Sequence, residues 1–221
     1  VSYKPNNLYG ICKPRLTFLY FYNFGEMNNI TQIPASFIEQ NTNFSNLVNA
    51  LRAAFSNKET MVPMRHHHDF PNPEVEEDST LLLMPAWKPG KQAGVKIATV
   101  SPKNGQFNLP AIQGTYIYLD ALKGSILALL EAKSLTVKRT AAASALASQY
   151  LSRENSSSLL MIGTGALAPN LIQAHASIRP IETVYVWGRD YSKALSLSQK
   201  FKNASFQVQP IKAIKDKISD V

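Results

Sequence analysis

The apolar run Leu159-Leu160-Met161-Ile162 leads directly into Gly163-Thr164-Gly165-Ala166-Leu167-Ala168, a G-x-G-x-x-A spacing where a strand turns into a helix. Each small residue has its own task in such a turn. Gly163 permits the tight bend, Gly165 lets backbone approach a pyrophosphate, and Ala168 keeps the helix close to the sheet. The first N–H groups of the helix then meet the diphosphate. The chemistry this predicts is that of a nicotinamide enzyme, although the same spacing serves any tight strand-to-helix turn. The residues downstream favour the first reading. Leu167, Leu171, Ile172, Ala174 and Ile178 repeat at helical spacing up to Arg179-Pro180, and Thr183-Val184-Tyr185-Val186-Trp187 then reads as a second buried strand, which makes a βαβ unit. At the end of that strand stands Trp187-Gly188-Arg189-Asp190. An NAD-selective site places a carboxylate there, whereas Arg189 suits a 2′-phosphate, so NADPH is the expected cofactor and NADH the second choice. Asp190 is at least as well suited to cap the helix around Ser192 to Lys200.

Three further groups have side chains fit for chemistry. Arg139-Thr140-Ala141-Ala142 is expected to begin a helix, so that a guanidinium and free backbone N–H groups point at one carboxylate or phosphate; an exposed first-turn arginine is the plain alternative. Lys96 interrupts the strand Gly94-Val95-Lys96-Ile97-Ala98, and it either faces water from an edge strand or contacts substrate with a burial-lowered pKa. Arg65-His66-His67-His68-Asp69 puts His66 and His68 on one side of an extended segment, but no second ligand pair at zinc-like spacing accompanies them, so no metal is expected. Arg65 is the better candidate there, as a second guanidinium able to fork onto a carboxylate. His175 is read as a packed or surface histidine.

The scaffold around these groups can be read from composition and pattern. With 221 residues and 45% hydrophobic content, the chain can bury a substantial core and is expected to form two domains. Its formal charge of +8 is scattered rather than gathered into a basic stripe, so neither nucleic acid nor a membrane is an expected partner. The sole cysteine, Cys12, makes no internal disulfide and fits a reducing cytoplasm. Residues 1–26 carry Lys4, Lys13 and Arg15 before an aromatic apolar run and lack any acidic residue before Glu26; they are read as an upstream extension, with Met27 as the natural start. From Pro34 the pattern is helical, with Phe44, Leu47, Val48, Leu51, Ala54 and Phe55 expected in the core. Strands are expected at Thr80 to Met84, Gly94 to Val100, Thr115 to Ala121 and Ser125 to Ala132, then a helix capped by Thr136 and running from Val137 to Ser152. The fold class is therefore α/β: an α+β domain over 27–153, followed over 154–221 by a Rossmann-type unit. Only three of its usual six strands are expected, at Leu159 to Ile162, Thr183 to Trp187 and Phe206 to Gln209. That unit is read as C-terminally truncated, and the 221-residue chain is expected to be inactive by itself.

Taken together, Arg65, Leu82-Leu83-Met84-Pro85-Ala86-Trp87, Gly94-Val95-Lys96-Ile97, Leu109-Pro110, Leu135-Thr136, Arg139-Thr140-Ala141-Ala142-Ala143-Ser144-Ala145 and Gly163 to Ala168 resemble the ornithine cyclodeaminase and mu-crystallin family from about Met27 to Val221. Met161 to Asn170 and Val184 to Arg189 look closest to the branch of bacterial Δ1-pyrroline-2-carboxylate reductases. The resemblance implies a homodimer, a substrate carboxylate held by Arg65, Lys96 and Arg139, and cofactor contacts from Thr140, Gly163, Thr164, Gly165, Ala166, Leu167, Gly188 and Arg189. The implied reaction is reduction of a cyclic imine, five- or six-membered, to L-proline or L-pipecolate. Ornithine cyclodeamination and non-catalytic NADPH binding are the alternatives. Two departures stand out: Glu131-Ala132 replaces the family's Asp-Gly, and Ala111 replaces the threonine of the cyclodeaminase branch.

Overall fold

A computed structural model describes residues 30–220; the readings made for residues 1–26, Met27 and Cys12 lie outside them. Six strands form one mixed sheet, ordered β1-β6-β5-β4-β3-β2. They are β1 (Thr31–Ile33), β2 (His66–Phe70), β3 (Ser79–Lys88), β4 (Gln92–Val100), β5 (Ile112–Asp120) and β6 (Ile126–Glu131). All neighbours are antiparallel except β1, which runs parallel to β6 with Thr31 opposite Ala128. The strands expected from Thr80, Gly94, Thr115 and Ser125 are all present. β3 continues past Met84 through Pro85, which faces Val95. β1 and β2 had no counterpart in the pattern: the first is too short to show a period, and the second is a polar edge strand exposed along its length.

Two helices precede β2, α1 (Ala35–Asn41) and α2 (Phe44–Ser56), separated where Asn43 caps α2 by accepting the N–H of Asn46 at 3.2 Å. Phe44 and Val48 are buried, and Leu47 and Leu51 pack against the same cluster. Ala54 and Phe55, expected in that core, are exposed, Phe55 by 71%. The stripe continues along the helix, but the last turn has no described element packed over it.

The long helix α3 (Ala132–Leu151) begins a full turn earlier than expected. Glu131 caps it, its two carboxylate oxygens accepting the N–H groups of Lys133 and Ser134, each at 2.7 Å. Thr136 is therefore interior and donates its hydroxyl back to Ala132 O at 2.5 Å. Arg139 and Thr140 lie well inside the helix, where backbone N–H groups are bonded to the preceding turn. The expected clamp of guanidinium plus free N–H groups is thus not formed. Along α3, Lys138, Ala141, Ala142 and Ala145 are buried at i, i+3, i+4, i+7 spacing.

The second sheet is parallel and ordered β7-β8-β9, from β7 (Ser158–Ile162), β8 (Thr183–Trp187) and β9 (Gln207–Pro210). Helices α4 (Ala168–Ala176) and α5 (Tyr191–Gln199) make the crossovers, and Val184 and Val186 of β8 bury against Ile172, Ala194 and Leu197. α4 also joins α2 and α3 in a cluster built from Val48, Ala141, Ala142, Ala145 and Ala174. Arg179 tethers the far end: its guanidinium donates to Ser152 Oγ at 3.0 Å and to the carbonyls of Ser148, Gln149 and Ser152 at 3.2, 2.9 and 3.3 Å. These carbonyls close α3; Ser148 O also accepts the Ser152 N–H at 2.9 Å, and the guanidinium draws it together with the carbonyls of Gln149 and Ser152. Replacing the guanidinium by an apolar chain, Arg179→Met, is expected to cost about 2 kcal/mol, seen as a lower urea midpoint at unchanged m-value.

Candidate functional site

Two cavities collect most of the residues with side chains fit for chemistry. The first, about 690 Å³, lies where the carboxyl ends of β7 and β8 meet and is lined by Ile162, Gly163, Thr164, Gly165, Trp187, Gly188, Arg189, Asp190 and Lys193. The backbone explains the glycines. Gly163 has φ +110°, which side-chain-bearing residues rarely adopt, and its N–H is fixed to Trp187 O at 2.7 Å. A Cβ on Gly188 would come within 2.8 Å of Thr164 Cγ2, so a hydrogen at this position lets the two loops close on each other. A Cβ on Gly165 would meet nothing within 4 Å, which leaves open space beside the turn. These features fit a dinucleotide: a glycine turn opening onto a cavity at the carboxyl end of a parallel sheet, with a helix starting immediately behind it.

Charge around this cavity is uneven. Asp190 caps α5, accepting the N–H of Ser192 at 2.9 Å and its hydroxyl at 2.6 Å. Those bonds hold its carboxyl below the usual range. Its oxygen is committed to the helix end, while Arg189 and the first-turn Lys193 line the cavity as cations. Lys193 was not singled out from sequence; fixing Asp190 as the cap would have placed it on the first turn.

The second cavity, about 310 Å³, lies between the first sheet and the start of α3, and its walls include Lys96, Ala98, Pro110, Ile112, Lys133, Thr136, Val137 and Ala166. Lys96 belongs to β4, an interior strand between β3 and β5, so the edge-strand alternative does not hold. It is half-buried, and burial first, then the nearby Arg139 guanidinium, lowers its pKa. Ala166 comes from the glycine turn, so the sheet lysine and that turn border one space.

The remaining expected residues are placed less directly. Arg139 is exposed on α3 and acts on Lys96 through its charge. Arg65 is exposed just before β2; continuing the register by one residue sets it opposite Met84, which faces Lys96. That puts the two backbones two strand spacings apart, about 10 Å. Thr140 lines neither cavity, and Leu167 packs into the helical cluster. His175 is packed between helices, with Nε2 3.2 Å from Ser144 Oγ, and burial lowers its pKa. His66 and His68 stand side by side on exposed β2, ring centroids 6.2 Å apart, while His67 contacts Asp69 at 2.9 Å.

The sequence model of the ornithine cyclodeaminase/mu-crystallin family matches residues 30–221. An uncharacterised protein of Schizosaccharomyces pombe is 46% identical over 156 residues, covering 70% of this chain and 47% of its own length. A Δ1-pyrroline-2-carboxylate reductase of Colwellia psychrerythraea is 37% identical over 170 residues, covering 76% and 53%. The chain therefore spans about half the length of the curated relatives it matches. Among solved structures, the Thermococcus litoralis Δ1-pyrroline-2-carboxylate reductase in complex with NADH and L-proline superposes with a TM-score of 0.73 at 23% identity, over 85% of this chain and 58% of that one. The two chains share one fold over that length. No helix among the described residues is long and apolar enough to cross a membrane.

The lowered pKa of Lys96 has a measurable sign. Between that lowered value and the ordinary 10.5, the folded chain binds fewer protons than the unfolded chain, so stability rises with pH across the window. Lys96→Met is expected to raise the denaturation midpoint of the ligand-free protein near neutral pH and to remove this part of the alkaline rise. Parallel stability–pH curves for parent and variant would show instead that Lys96 ionises as a free lysine.

Proposed function

The chain belongs to the ornithine cyclodeaminase/mu-crystallin family, and from that membership we propose that the protein is an NAD(P)H-dependent reductase of a cyclic imine amino acid, Δ1-pyrroline-2-carboxylate or its six-membered homologue. The observation that carries this reading is the shared cavity of Lys96 and Ala166, in which a small anion held at the sheet would lie against the glycine turn. The Colwellia relative's name and the proline complex of the Thermococcus enzyme support the substrate class. Ala111, next to the cavity-wall residue Pro110, has no hydroxyl, which favours reduction over cyclodeamination.

Arg65 and Arg139 would fork onto the substrate carboxylate, with Lys96 adding a third positive charge. Held in this way, the protonated ring nitrogen and its imine carbon are fixed against Ala166, and the apolar walls Ala98, Ile112 and Val137 keep water from the reacting carbon. A bound reduced nicotinamide would supply the hydride. The imine carbon would accept it, the π pair of the C=N bond would pass to the nitrogen, and the nitrogen would keep its proton as an amine. Thr140, Gly163 to Leu167, Gly188 and Arg189 make up the proposed cofactor site. Arg189, with Asp190 engaged as a cap, favours NADPH, while NADH in the Thermococcus complex supports the nicotinamide cofactor more generally. We assign residues 27–153 to substrate binding and dimerisation and 154–221 to the cofactor, in a cytoplasmic homodimer.

In a version extended to the length of its curated relatives, Arg139→Ala is expected to lower kcat/KM for Δ1-pyrroline-2-carboxylate by about 1.5–3 kcal/mol, roughly tenfold to 150-fold, with a smaller change in NADPH affinity. Retention of parent-level efficiency would remove Arg139 from the carboxylate site. Arg189→Gln is expected to weaken NADPH by about tenfold or more while NADH changes little. Equal losses with both cofactors would show that Arg189 does not read the 2′-phosphate.

A further inference from the structure

Lys96 stands on β4 directly between Met84 of β3 and Tyr116 of β5. Side chains paired across strands in this way share one face of the sheet, with Cβ atoms about 5 Å apart. A lysine stem is long and flexible, so along its own strand the ammonium can lie over Ala98 or, the other way, over Gly94, the two neighbours on that face. The Gly94 side is filled. A Cβ built on this buried glycine would lie 2.1 Å from Tyr116 Oη, 2.5 Å from Cζ and 3.0 Å from Cε1, and no other residue comes as near. The ring as well as its hydroxyl therefore covers Gly94, and only a hydrogen at that position leaves room for it. Gly94, Tyr116 and Tyr118 border a separate cavity of about 190 Å³, which shares no lining residue with the cavity of Lys96. Toward Ala98 the facing pair is small, Ala98 with Gly114, and there the cavity that takes Lys96 opens.

We propose that Tyr116, seated on Gly94, is the positioning residue that aims the Lys96 ammonium along β4 toward Ala98 and the glycine-turn residue Ala166; that this aim serves a substrate carboxylate rests on the imine-reductase reading. Tyr116 is not among the walls of the cavity it serves, so its contribution passes through Lys96. A stem already confined loses less freedom when its ammonium closes on a carboxylate, and the ring adds to affinity without a bond of its own.

The test is a double-mutant cycle in the version extended to the length of its curated relatives, read by calorimetric binding of pyrrole-2-carboxylate, a planar unreactive probe, to the nicotinamide-loaded protein. Tyr116→Ala and Gly94→Ala are each expected to weaken the probe about fivefold to tenfold, and Tyr116→Phe to bind it as the parent does. Once Lys96→Met has removed the ammonium, Tyr116→Ala is expected to have no further effect. Parent-level binding by Tyr116→Ala or Gly94→Ala overturns the proposal, and so does a loss in Tyr116→Phe equal to that in Tyr116→Ala. The same loss in the Lys96→Met background also overturns it, because a ring that only supported the sheet would act with or without the lysine. Titration of Lys96 in the chain itself, followed through the carbon NMR signal of its ε-methylene, does not depend on the substrate. Its midpoint is expected to rise toward 10.5 in Tyr116→Ala and to stay at the parent value in Tyr116→Phe. A parent that does not bind the probe, or a Lys96→Met variant that binds it equally well, removes the carboxylate reading; an unmoved midpoint in Tyr116→Ala then overturns the positioning role as well.

Discussion

The close approach of α3 to α4 is the constraint on which the rest of the molecule depends. Packed helices are separated by what their side chains occupy, and Ala141, Ala142 and Ala145 cluster with Ala174 where the two meet, beside the Ser144–His175 contact. One end of α3 starts where β6 of the mixed sheet ends, at Glu131, and α4 rises from the glycine turn of the parallel sheet. Drawing these two helices together brings Ala166 within reach of the wall that holds Lys96. Longer side chains along this seam would widen the cavity even with every chemical group retained. Arg179 fixes the opposite end of the same seam, so α3 is held along its length.

The electrostatics stem from this geometry. Lys96 is carried on an interior strand and half-covered by a helix that brings Arg139 with it, an arrangement that opposes the charge on Lys96. Elsewhere the chain pairs its buried cation: Lys138, almost fully buried, contacts Glu39 at 3.1 Å and lies 4.8 Å from the ring centroid of Phe44. The same helix thus carries a paired lysine on the face that packs against α1 and α2, and turns Lys133 toward the cavity.

Much of this arrangement could be read from residue types and spacing, and the exceptions have physical causes. The strand–glycine turn–helix–strand run was legible because each glycine has a steric task and the apolar periods on both sides are unbroken. Lys96 was legible as an anomaly in a strand, but which strand is interior depends on pairings of residues far apart in sequence. The start of α3 was misplaced because threonine is a favoured cap and glutamate a poor one. Here the two oxygens of Glu131 reach two N–H groups, and that error carried Arg139 into the first turn. It also hid Lys133, whose place in the cavity becomes evident only once the helix begins at Ala132. Phe55 fits the helical stripe, but periodicity cannot tell where the neighbouring helix ends.

The parallel pairing of β1 with β6 has a consequence for how the chain is made. Thr31 finds its partner only at Ala128, so the first of the described strands waits for the last strand of its sheet. Antiparallel β3, β4 and β5 can zip as local hairpins in the meantime, leaving the β5 edge open. Non-local closure of this kind slows folding, because the entropy of a long loop is lost before any contact compensates for it. Since β6 runs straight into α3, the step that completes the sheet also delivers the helix that covers Lys96. Completion of the cavity wall and burial of the nascent edge are thus one event.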